Sequence, residues 1–258
     1  MLPLLPHGGL IDMMRTPDRL RVSLTAAACC VLLAHAGCTQ MTSTALNAEG
    51  VRLYQTGDYR NSMDKFNKAI AANPKEATSY YNMAAALHKN GKLYNRPEDL
   101  QQAERLYNQC LDYDGDHAEC YRGLTVLLTE TGRQDSAFRL LEGWAGRSPQ
   151  NPESRIELAR LLEETQNYPQ ATTRLVEALS IDPQNARALT ALGRLREMAG
   201  DQSQALANYQ RSLNVNRFQP EVAARVAALQ ASGAGVAPMM AAPATTRTVE
   251  RWTGAVRY

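Results

Sequence analysis

The sequence predicts an all-α fold built from repeated helix pairs, and three observations carry that reading. First, a skeleton recurs along the chain: an apolar pair, a small residue or Gly, a turn, a Tyr or Gln, an Ala, a large apolar residue, a small residue, then Pro. Second, Pro74, Pro149 and Pro183 each end such a stretch, and Pro149 and Pro183 lie 34 residues apart. Third, Ala is abundant while aromatic residues make up 6% of the chain, as expected for packed helices. The 258 residues carry a net charge of +2, which excludes a strongly basic nucleic-acid binder and an acidic disordered chain as readings of the whole.

Residues 1–37 read as a targeting segment that precedes the fold. Arg15, Arg19 and Arg21 form a positive region, and residues 22–34 are apolar and small. That stretch is too short to span a bilayer as a mature helix. Residues 1–12 do not suit such a signal, so Met13 or Met14 is the expected start. Two endings compete. Ala34-His35-Ala36 fits an ordinary small-x-small cleavage site, whereas Ala36-Gly37-Cys38 resembles the end of a bacterial lipobox, with His35 where that motif has Leu. The second is favoured, making Cys38 the lipidated first residue of the mature chain and residues 38–43 its tether.

The repeats run in order along the chain. Unit one is 43–76, with helices near 44–56 and 59–72; Gly57-Asp58 ends the first, because Gly tolerates the left-handed conformation of a helix end. Its skeleton is Gly50, Gly57, Tyr59, Phe66, Ala69 and Pro74. Unit two, 77–117, is too long by seven residues. Its first helix is expected near 78–90 with a stop at Gly91, and Pro97-Glu98-Asp99 then starts a lengthened second helix over 97–113. Unit three is 118–151. Unit four is 152–185, with Gln166-Asn167 replacing the turn Gly. Unit five is 186–219, carrying Gly193, Gly200, Ala205 and Tyr209. Residues 220–230 read as a capping helix, and 231–258 as a disordered tail rich at first in Ala, Gly, Pro and Met. Trp144 occupies the slot that holds Ala69, Ala178 and Ser212 elsewhere; as a local filler of the stack it needs room that Gly143 and Gly146 could supply.

These residues and their period resemble the tetratricopeptide repeat (TPR) family. The resemblance implies a right-handed solenoid of five helix-turn-helix repeats plus a C-terminal capping helix over 44–230, with the first helix of each unit lining a concave protein-binding groove. The lining implied here includes Asn47, Tyr54, Tyr81, His88, Arg122, Arg160, Glu163, Arg194 and Glu197. Arg160 and Arg194 are one period apart, as are Glu163 and Glu197, so the latter half would carry charge ladders and the first half would be aromatic and neutral. A solvated, partly self-paired face, with Arg160–Glu164 one turn apart, is the competing reading of those charges. Chaperone-binding members hold a peptide carboxylate with a Lys/Asn clamp; only Asn82 fits it, with Val51 and Glu119 where Asn and Lys are needed, so a chaperone-tail receptor is not expected.

No catalytic chemistry is expected. Asp112, Asp114 and Asp116 have calcium-loop spacing, but His117 and Gly123 stand where such a loop needs Gly and a bidentate acid, so they read as a solvated turn. The four histidines do not cluster, and no phosphate-binding Gly loop or metal-pair spacing occurs. Cys110 and Cys120 fall at the end of one helix and the start of the next, which leaves a bridge and two buried thiols both open. The chain is similar to bacterial TPR lipoproteins, including type IV pilus pilotins. That likeness implies an interaction scaffold tethered at the envelope, an outer-membrane lipoprotein facing the periplasm, that assists assembly of a pilus, secretion or other envelope complex. The expected partners are a protein or peptide segment in the groove and the membrane through its lipid, with no cofactor, metal or nucleic acid. The alternatives are a soluble periplasmic or secreted form, and a cell-wall-associated enzyme or enzyme regulator that uses the repeats as an adaptor.

Overall fold

The computed structural model describes residues 42–233, which form eleven helices and no strand among the described residues. The targeting segment, Cys38 and the tail from 234 onward lie outside them. No helix among the described residues is long and apolar enough to cross a membrane. The chain divides into two compact units, Met1–Thr131 and Gly132–Tyr258, with the division inside the third repeat.

In the first unit, α1 (42–55) and α2 (Tyr59–Ala72) form the first pair. Gly57, at φ +83°, turns the chain between them, and the Asp58 side chain accepts from the Asn61 amide to start α2. Thr42 and Ser43 are already helical, so the end of the expected tether belongs to α1. The cause is tertiary: the buried Ser43 hydroxyl donates to the Ala69 carbonyl at 3.2 Å and is bonded to Glu76. The pair closes through a near-interlock. A Cβ on Gly50 would lie 2.4 Å from Phe66 Cε1, so only glycine lets that ring reach the α1 backbone.

The second pair departs from its expected boundaries. α3 (Ala77–Tyr94) runs through Gly91, and α4 (Pro97–Tyr113) starts after two residues. The inserted residues are therefore shared: α3 is 18 residues long and α4 17, against 13 for α5 (Ala118–Glu130). Gly91 does not stop the helix because its function is close packing, a Cβ there falling 2.8 Å from Leu100 Cδ2. The cap is Asn95, in the left-handed conformation at φ 52°, with its amide bonded to the Gly91 carbonyl. Asn90 Nδ2 donates to Asp99 Oδ2 at 2.6 Å and ties the hairpin shut. The five residues by which α3 exceeds α5 amount to an overhang of about 7.5 Å, and it leaves Leu93 and Tyr94 exposed. A Cys110–Cys120 disulfide, with Cα atoms 6.5 Å apart, joins α4 to α5.

The second unit contains α6 (Gln134–Arg147), α7 (Pro152–Glu164), α8 (Tyr168–Ile181), α9 (Ala186–Met198), α10 (Gln202–Val215) and α11 (Pro220–Ala231). Asn151, Asn167, Asn185 and Asp201 cap α7 to α10 through their side chains. Gln166, at φ 60°, takes the left-handed position that Gly200 fills one repeat later. The Gly–ring interlock recurs at Gly193, where a Cβ would fall 2.7 Å from Tyr209 Cε1. Leu175 and Ala159 occupy the same slots in repeat four and share one core cluster. α11 packs Val222 and Leu229 on Ala205, Leu206 and Tyr209. Trp144 is fully buried, but the neighbouring glycines do not make its room: a Cβ on Gly146 would meet nothing within 4 Å, and one on Gly143 only the Arg147 guanidinium.

These contacts separate two kinds of glycine. Gly50→Ala is expected to destabilise the fold by about 1–3 kcal/mol through overpacking against Phe66. Gly146→Ala, at an exposed helical position, is expected to stabilise it by about 0.5–1 kcal/mol. Urea denaturation of the two variants checks both signs.

Candidate peptide-binding site

The first unit carries an open pocket of about 200 Å³ on the faces of α1, α3 and α5. Two of the residues singled out from the sequence, Tyr54 and His88, line it, together with the Tyr107 ring from α4 and the small apolar side chains of Ala85 and Val126. The rings form a connected set. Tyr107 stands 6.3 Å from both Tyr81 and His88, edge-on to the latter, and Tyr81 lies 5.6 Å from the His117 ring. Gly123 permits this arrangement, since a Cβ there would fall 2.5 Å from Tyr107 Cε1. Burial pushes the Tyr107 phenol far up and keeps it neutral. Tyr81 is raised by burial first, then by the Glu119 charge, with the Arg122 charge opposing.

The rim is charged. His88 Nε2 lies 2.9 Å from Glu130 Oε2, and Lys92, one turn further along α3, bonds the other carboxylate oxygen. Partial burial works against the charged form of Glu130, but the hydrogen bonds and charges of Lys92 and His88 outweigh it and hold the carboxyl below its ordinary range. Lys89 stands exposed at the same edge. At the turn side, the overhang and the α1–α2 turn border a cleft of about 480 Å³ that includes Gly57, Tyr59, Tyr94 and Arg96.

Asn47 is placed differently from the expectation. It is buried, donates to the Ser79 hydroxyl at 2.8 Å and accepts from Asn82, so it links two repeats and presents no free amide. Asn82, the remnant of the clamp pattern, is engaged in the same link. In the second unit the Arg and Glu ladders close on themselves. Arg160 bonds Glu157 at 3.0 Å and also Glu164; Glu163 accepts from Arg194; Glu197 accepts from Arg225 at 2.6 Å and from the Tyr209 hydroxyl at 3.0 Å. Fully buried Glu157 takes a further bond from Arg187 at 2.8 Å. Arg160 pairs within α7, and the other ion pairs join repeat to repeat. Lys92, Tyr107 and Glu130 were not among the residues singled out from the sequence. The spacing of Lys92 four residues after His88 was the available signal, but it lay beyond the expected end of α3.

Two carboxylates respond to acid with opposite sign. Glu130 is depressed, so its contribution is full above the ordinary carboxyl value, roughly pH 4.3, and is lost as pH falls through its lower folded value. Glu163 is raised by burial, with Arg194 and Arg160 opposing, so its penalty at neutral pH is relieved as pH falls. Between pH 6 and 3, Glu130→Gln is therefore expected to lose less stability than the parent and Glu163→Gln to lose more, read from urea midpoints.

Known proteins share this organisation. A family described as TPR repeat matches residues 50–91, and one described as Tetratricopeptide repeat matches 96–152 and 156–223. The human protein O-mannosyl-transferase TMTC1 is 23% identical over 66% of this chain, which spans 19% of that protein. Mouse tetratricopeptide repeat protein 36 is 38% identical over 25% of this chain, which spans 34% of it. The chain thus spans well under half of these relatives. The crystal structure of TTC0263, a thermophilic TPR protein of Thermus thermophilus, aligns with a TM-score of 0.55 at 19% identity, covering 73% of this chain and 99% of its own. With helix pairs, repeat glycines and family matches in agreement across both units, the chain belongs to the tetratricopeptide repeat family.

Proposed function

We propose that this protein is an envelope adaptor whose first unit grips one large apolar or aromatic side chain of a partner segment that also carries acidic residues. TPR repeats are protein–protein interaction adaptors that take peptides or proteins in their groove, and the finer reading rests on the cavity. Its floor of rings and small apolar side chains suits a single bulky side chain, and exposed Lys89 at the edge suits a carboxylate beside it. The self-paired charges of the second unit favour this cavity over the Arg160–Arg194 face. The Ala36-Gly37-Cys38 pattern supports lipid tethering, with Thr39 rather than Asp next to the cysteine favouring an outer membrane. The Cys110–Cys120 disulfide supports an oxidising compartment. In this reading the adaptor serves assembly of a pilus, secretion or other envelope complex.

Both the cavity and the tether are open to measurement. Panning a random peptide library on the protein is expected to enrich a bulky apolar residue flanked by Asp or Glu. Val126→Trp, which fills the cavity, should then weaken the selected peptides at least ten-fold, about 1.4 kcal/mol, with circular dichroism unchanged. Peptides that lack acidic flanks, or that bind Val126→Trp as well as the parent, would sink the assignment. For the tether, intact-mass analysis of the mature protein should show an acylated chain beginning at Cys38; a lipid-free chain beginning at Gly37 means ordinary secretion.

A further inference from the structure

We propose that Cys110, His117 and Cys120 form a zinc site when their disulfide is reduced. The three residues each offer one ligand atom, and those atoms lie within 4.8 Å of one another. Both sulfurs are shielded between α4 and α5, where Cys110 and Cys120 are fully buried. His117 is the N-cap of α5 and its side chain is held on two sides. Nδ1 accepts from the Cys120 amide at 3.4 Å, and the ring stacks near Tyr81. With Nε2 on the metal, Nδ1 would carry the proton, give up the Cys120 amide and donate to Glu119 Oε2, 3.3 Å away, as metal-bound imidazoles do to carboxylates. Cys120 lies in the first turn of a 13-residue helix, where the exposed amides stabilise a thiolate.

Two thiolates and an imidazole are the donor set of a d¹⁰ cation, and zinc with three protein ligands keeps a fourth position for water. Two thiolates bound tetrahedrally to zinc stand about 3.8 Å apart. A Cα separation of 6.5 Å allows that by side-chain rotation once the S–S bond is cleaved. The exchange balances. The thiolate of a dithiol reductant attacks one Sγ, the S–S bond breaks and its electron pair leaves on the other Sγ. The second thiol of the reductant then closes its own disulfide and frees the first cysteine. Zn²⁺ displaces the two thiol protons to solvent without changing its oxidation state. Bridge and metal are thus alternative closures of one joint, next to the Tyr81–Tyr107 rings that lead to the cavity.

The test uses the full chain with Cys29, Cys30 and Cys38 changed to Ser, so that only two thiols remain. After phosphine reduction, competition against a chromophoric zinc chelator should report one Zn²⁺ per chain with a submicromolar Kd. The air-oxidised protein should bind none at that level, and Cys110→Ser should lose binding. His117→Ala should bind at least ten-fold more weakly while still losing two hydrogens on oxidation, which shows that the joint folds and that the histidine is a ligand. Absence of zinc binding by the reduced parent, or equal affinity in His117→Ala, overturns the proposal. Neither result bears on the peptide cavity, which is tested separately.

Discussion

The architecture depends on one steric constraint, the close approach of a large side chain to a residue too small to resist it. Phe66 lies on Gly50 and Tyr209 on Gly193, each at a distance that a single methyl group would forbid. That approach sets the spacing of the two helices in a pair. Spacing in turn decides which side chains of the first helix are covered and which remain at the surface. In the second repeat the constraint shifts. Its inserted residues lengthen both helices, and the Tyr107 ring rests on Gly123 of α5. The ring then serves as a wall of the cavity as well as a core residue.

The two units differ in the balance of contacts that hold successive repeats. In the first, contacts between repeats include a ring on a glycine, amide, covalent and charged ones: Tyr107 on Gly123, Asn47 on Ser79, Cys110 on Cys120, and His88 and Lys92 on Glu130. In the second an apolar cluster continues from α7 and α8 into α9, and a series of ion pairs runs beside it, from Glu153 and Glu157 to Arg187, from Glu163 to Arg194 and from Glu197 to Arg225. Exposed pairs of that kind contribute ~0–1 kcal/mol each and weaken with salt. Glu157 is the exception, because a fully buried carboxylate is tolerated only while its guanidinium partners remain in place.

Helix pairing and turn positions were legible in the sequence because they depend on residues with little freedom: glycine at a left-handed turn, an Asx cap, a proline in a first turn. Gly91 misleads for the same reason. A glycine near an expected helix end serves equally for termination and for close packing, and only the position of Leu100 decides between them. The candidate site was half legible. Tyr54 and His88 were visible from which helix faces inward, but Glu130 joins His88 only across 42 residues of chain. The periodic Arg and Glu residues were visible, while their mutual satisfaction depends on rotamers and on the distance between neighbouring helices, which periodicity does not encode.

The disulfide closes a segment of ten residues, between the end of one helix and the start of the next. Such a loop is short enough to form before distant parts of the chain have met. By the polymer-loop estimate it removes about 2.7 kcal/mol of unfolded-state entropy. Once the bridge is closed, an unfolded chain keeps the α4–α5 joint, and α3 has only to dock beside a pair already held together. Contacts of such short sequence separation favour rapid folding.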